Sequence, residues 1–79
     1  MYEVHQREWN SCNKVAILFK AKDLQECIVF RKKWEQAIDK IYEGTHVGDE
    51  CCYFASIYNT EKDDYIKYLL GKDNKYHEL

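Results

Sequence analysis

Leu24, Cys27, Phe30, Trp34, Ala37, Ile38 and Ile41 recur at three- and four-residue steps, the apolar stripe of a helix that lies on a core. Asp23 stands where a side-chain oxygen can accept from the first free amides, and Glu26 follows at capping-box spacing. Gly44 stands where a left-handed C-cap is wanted. The pattern predicts one helix over residues 23–44, about 20 residues and about 30 Å long.

Before this helix the period changes to two. Tyr2 and Val4 fall on one side, and Glu3, His5, Arg7 and Trp9 on the other, which predicts a half-exposed strand. Asn10, Ser11, Cys12 and Asn13 are turn formers, and residues 14–20 read as a more buried strand, so the first twenty residues predict a β-hairpin. Residues 44–50 read as a loop with two glycines, and residues 51–58 as a third strand. Its faces are Cys52, Phe54, Ser56 and Tyr58 against Cys51, Tyr53, Ala55 and Ile57. Thr60 and Asp63 repeat the capping spacing, and Tyr65, Ile66, Leu69 and Leu70 read as the apolar face of a short second helix stopped by Gly71.

The expected fold is therefore α+β in the order β-β-α-β-α. A small, mainly antiparallel three-stranded sheet in the order 2-1-3 packs against the long helix, and the short helix follows at the C-terminal end. Residues 1–71 form one domain, and 72–79 a polar, flexible tail. At 79 residues such a chain buries roughly 60% of its unfolded surface. Seven Tyr and two Trp exceed what so small a core hides, so some rings must face water or a partner.

Net charge is −2 and unevenly spread: residues 1–40 carry eight Lys/Arg against six Asp/Glu, and residues 41–79 four against eight. This balance argues against an obligate nucleic-acid binder, whose footprint is a clustered positive field. The longest apolar run, residues 15–19, is far too short for a membrane span, and no basic-plus-apolar leader opens the chain. The expected location is the cytoplasm, with reduced cysteines and no membrane partner. Lys, Ile, Tyr, Asn and Phe supply 30 of the 79 residues, a bias of AT-rich genomes such as those of many bacteria and their phages.

Candidate chemistry is sparse. Cys51 and Cys52, with His46 and Asp49 upstream, invite a metal, but vicinal cysteines in a strand point to opposite faces, so no metal and no cofactor is expected. No local sequence sets His5, His46 or His77 against a thiol, and scattered glycines make no phosphate cradle, so no enzyme activity is expected. Asp63 and Asp64 suit the positive end of the second helix, and Tyr65 and Tyr68 share its face.

Tyr65, Tyr68, Asp63 and Asp64 are thus the candidate partner-binding residues. They suit a non-catalytic protein-binding module, of the kind a phage encodes to inhibit a host or defence protein by occluding its surface. A homodimer through edge strands or aromatic contacts would be compatible with this reading. The alternative is a small regulator that binds RNA or single-stranded nucleic acid through Arg31, Lys32 and Lys33. That reading also needs Trp9, Tyr53 or Tyr58 on an open sheet face beside Lys14 or Arg7.

Overall fold

The computed structural model describes residues 1–8, 11–42 and 53–79. In chain order it has β1 (Tyr2–Glu8), β2 (Lys14–Ala21), α1 (Leu24–Tyr42), β3 (Tyr53–Asn59), β4 (Asp64–Tyr65), β5 (Tyr68–Leu70) and β6 (Tyr76–Glu78). The first four strands form one antiparallel sheet in the order β2-β1-β3-β4, and β5 pairs with β6 as a separate hairpin. The fold is α+β, with the predicted 2-1-3 order at its centre. The sheet has a fourth strand, however, and α1 is the one helix among the described residues.

Asp23 caps α1 as expected: its carboxylate accepts from the Gln25 amide at 3.0 Å. Gly44, Cys51, Cys52, Trp9 and the 44–50 loop lie outside the described residues. On α1, Leu24, Cys27 and Ile28 are buried, with Phe30 and Trp34 packed partly against them. Ile28, which the stripe omitted, is fully buried, whereas Ala37 is exposed. The sheet answers with Val4, Ala21, Ala55 and Ile57. Register explains the match, because Val4 stands opposite Ile57 on β3 and Phe19 on β2, so one face of three strands meets the helix.

β2 is an edge strand and carries two register shifts against β1, at Leu18 and at Val15. Together with Lys14 and Lys20 near its ends, these bulges disfavour pairing with a second chain along that edge.

The second helix is absent. Asn59, buried, accepts from the amides of Glu61 at 2.9 Å and Lys62 at 3.4 Å, so a side-chain turn replaces the first helical turn. Thr60 does not start a helix here: its amide and hydroxyl both donate to the Met1 carbonyl. Asp63 then takes φ 53°, outside the right-handed helical region. The chain reverses into β4, and the Ile66 amide extends the pairing by donating to the Ile57 carbonyl at 2.9 Å. From Tyr65 to Leu69 the pattern has period two: Ile66 and Tyr68 pack on the core, while Lys67 and Leu69 are exposed.

Residues 72–79, expected to form a flexible tail, instead complete the hairpin. Asn74 adopts φ 60° in its turn, and the Gly71 amide donates to the Lys75 carbonyl at 2.7 Å. Gly71 follows β5 in the hairpin and caps no helix, and a Cβ there would lie 2.7 Å from the His77 ring. Gln25 of α1 holds the hairpin like a borrowed strand: its amide nitrogen donates to the Tyr76 carbonyl at 2.7 Å, and its oxygen accepts from the Tyr76 amide at 2.8 Å. Glu78 gathers the opposite end, accepting from Tyr2 at 2.9 Å, from Asn59 at 3.2 Å and from Lys62.

Two outcomes follow for stability. Ile28→Ala empties a fully buried site and costs about 2–5 kcal/mol, while Val29→Ala on the exposed side of the same turn stays within about 0.5 kcal/mol. Urea unfolding monitored by circular dichroism measures both. The hydrogen bond from Lys62 holds the Glu78 carboxyl below its ordinary 4.5 against burial, with Tyr2 and Asn59 assisting. A depressed carboxyl stabilises the fold above its ordinary range and loses that contribution as pH falls through its folded value. Between about pH 6 and pH 3 the urea midpoint therefore drops further in the native chain than in Glu78→Gln.

Candidate functional site

The face of the sheet opposite α1 carries the densest group of functional side chains. Glu3, His5 and Arg7 alternate onto it from β1, and register sets Tyr58, Ser56 and Phe54 opposite them on β3. β4 adds Tyr65, paired with Tyr58. β2 adds Lys20 opposite Glu3, Ile17 opposite His5 and Lys14 opposite Arg7.

His5 is the centre of this group. The sequence placed it on an exposed strand, yet it is 3% exposed. One ring nitrogen, Nε2, lies 2.8 Å from the Glu3 carboxylate, and the other, Nδ1, lies 2.9 Å from the Tyr65 hydroxyl. A carboxylate only accepts, so in the neutral ring Nε2 carries the proton and Nδ1 accepts from Tyr65. Tyr58 stacks on the imidazole with centroids 4.8 Å apart, and Tyr65 meets it edge-on at 5.4 Å.

Arg7 continues the row. Its guanidinium carbon stands 3.9 Å from the Tyr65 ring centroid and 5.1 Å from that of Phe54, and the group donates to Ser56 Oγ at 3.2 Å and to the Cys12 carbonyl at 3.0 Å. The result is a ladder in the order Phe54, Arg7, Tyr65, His5, Tyr58. Each pair contributes roughly 0.5–2 kcal/mol in addition to buried area. The Tyr58 hydroxyl donates to Asp63, which pushes its pKa up to about 12. Burial raises the Tyr65 pKa, with the Arg7 charge opposing.

The expected partner-binding residues do not share one surface. Tyr65 belongs to the ladder, whereas Tyr68 packs on the helix side, where its hydroxyl accepts from Arg31. Asp63 is engaged by Tyr58, and Asp64 accepts from the Tyr65 amide at 2.8 Å. The basic run of α1 is largely committed inside the fold. Arg31 donates to the Ala55 carbonyl at 2.8 Å and pairs with Glu35 at 3.0 Å, and Lys32 donates to the Tyr76 hydroxyl. Lys33 is exposed.

Of the aromatics the nucleic-acid reading required, Tyr58 is on the open face, Tyr53 has the parity of the helix face, and Trp9 lies outside the described residues. Among the described residues no group of three or more His, Cys, Asp and Glu side chains could hold a metal. Cys27 is a core thiol whose pKa burial pushes up, and Cys12 is exposed.

Sequence reasoning missed His5 with Glu3 as a buried pair. Alternation in β1 places Glu3, His5 and Arg7 on one face, but the cover over His5 comes from Tyr65, in a segment that reads as a helix. Tyr65→Phe removes the donor to a buried nitrogen and costs about 0.5–1.5 kcal/mol by urea unfolding. Comparison with protein-family models, with curated proteins and with solved structures finds no match for the chain.

Proposed function

We propose that the chain is a small non-catalytic protein-binding module that acts by covering part of another protein's surface, as a phage-encoded inhibitor of a host or defence protein does. The observation that carries this reading is the exposure of Leu69 and Leu79, at 61% and 68%, on an element that is otherwise tightly held. Leu69 stands opposite His77, and the Leu79 amide donates to the Lys67 carbonyl at 2.9 Å, so alternation sets Lys67, Leu69, His77 and Leu79 on one side of the hairpin.

The other side is fixed. Tyr68 and Tyr76 meet edge-to-face at 5.6 Å and are held from α1 by Arg31, Lys32 and Gln25. A partner that buries one leucine removes it from water for roughly 1.5–3 kcal/mol, and a preorganised hairpin adds little ordering cost on binding. The contact surface proposed is therefore the leucine side of the hairpin, in place of a surface built from Tyr65, Tyr68, Asp63 and Asp64.

Affinity capture from a bacterial lysate tests this with three proteins: the native chain, Leu69→Asp with Leu79→Asp, and Lys33→Glu. The native chain and Lys33→Glu retain a stoichiometric protein partner, and the leucine variant loses at least roughly tenfold in affinity. Equal capture by all three overturns the assignment of the surface. Sedimentation of the purified chain completes the test, because a dimer that dissociates in the leucine variant would make the partner a second copy.

A further inference from the structure

We infer that the partner meets the hairpin with an extended strand of its own, which adds to the free edge of β5. The inference rests on the reading of the hairpin as the partner surface and names what that surface takes. The Leu79 amide donates to the Lys67 carbonyl at 2.9 Å and the Gly71 amide to the Lys75 carbonyl at 2.7 Å, so residues 67, 69 and 71 turn their backbone groups toward β6. Tyr68 and Leu70 turn theirs the other way. Their N–H and C=O groups have no partner among the described residues, where β5 pairs with β6 alone.

The other edges of the two sheets are protected. β2 carries two register shifts, β4 is two residues long, and β6 gives the outward amide and carbonyl of Tyr76 to Gln25. β5 has neither bulge nor proline, and its register with β6 is unbroken from Tyr68 to Leu70. The side chains point to the same edge. Alternation sends Leu69 to the outer side of the hairpin and Leu70 to the side of Tyr68, yet both are exposed, at 61% and 57%. An occupant laid on the outer side would leave Leu70 in water, whereas a strand along the edge touches both leucines. Backbone bonds then supply affinity and the flanking side chains supply specificity.

Charge selects the strand. Lys67 stands just before β5 and Lys72 shortly after it, both exposed and with no acid in ion-pair range among the described residues. The acids of the hairpin are taken, Asp73 by His77 at 3.0 Å and Glu78 by Lys62 and Tyr2. The ligand that fits is an extended segment with apolar residues at its centre, an acid toward each end and no proline at the bonded positions.

A capped peptide of about seven residues, valines between threonines with a glutamate at each end, is titrated into the full isotope-labelled chain and followed by amide correlation spectra. It binds with a Kd below about 1 mM, shifts the Tyr68 and Leu70 amides downfield and slows their exchange with solvent. The same peptide with lysines for glutamates binds at least roughly fivefold more weakly, and Lys67→Glu with Lys72→Glu reverses that order. The full chain with a methyl group on the Leu70 amide, assembled by ligation at Cys52, keeps its circular dichroism spectrum and loses roughly tenfold in affinity, because that nitrogen serves no bond within the fold. Absence of binding at about 1 mM, equal binding by the methylated chain, or shifts confined to Lys67, Leu69, His77 and Leu79 overturns the inference. So does self-association of the pure chain through this edge, which makes the occupant a second copy. Lysate capture that needs Leu69 and Leu79 but ignores the methyl group removes the inference and leaves the leucine reading standing.

Discussion

One buried amide, Asn59, decides where the last twenty residues go. Its oxygen takes the amides of Glu61 and Lys62 and its nitrogen reaches the Glu78 carboxylate, so the turn that ends β3 and the strand that ends the chain are tied to the same side chain. Had those amides been left to a helix, Tyr65 would have rotated away from His5 and the hairpin would have had no turn to start from. A buried side-chain amide without partners costs more than most surface contacts return, so the arrangement is obligatory once Asn59 is inside.

The legible part of the fold was the part carried by long periodic segments. A helix of 19 residues repeats its signal five times, β1 and β3 alternate, and β2 is a continuous apolar run that follows a cluster of turn formers. Residues 65–70 misled, because apolar residues at 65, 66, 69 and 70 fit the helical period, and the strand period shows only in Ile66 and Tyr68. The local clue was Asn59 followed by polar residues through Asp64, the setting in which a short amide side chain competes with a helix. Asp73 and Asn74 signalled the hairpin turn in the same way, but nothing local indicates that Gln25 will hold Tyr76 across 51 positions.

The candidate site divides along the same line. Parity in β1 and β3 gives the occupants of the open face, so Glu3, Arg7, Phe54 and Tyr58 were readable as neighbours. Their chemistry was not readable, since the burial of His5 depends on Tyr65 arriving from β4. The run Arg31, Lys32 and Lys33 shows the opposite error. It looks like a cationic patch in sequence, yet two of its three members are spent on tyrosine hydroxyls and a strand carbonyl. Formal charge counts such residues equally, whereas a ligand meets only those whose donors are left over.

The same distribution of donors also explains why the hairpin turns Leu69 and Leu79 outward. α1 presents Arg31 and Lys32 to it, groups that need acceptors, and a tyrosine offers both an apolar ring and a hydroxyl oxygen where a leucine offers only the former. Tyr68 and Tyr76 therefore take the inward positions, and alternation leaves Leu69 no place but the outer side. A chain of this size has little other apolar surface against which to fold those leucines back. The exposure is thus imposed by the polar face of α1, and Lys and His beside the leucines keep that outer side soluble until something covers it.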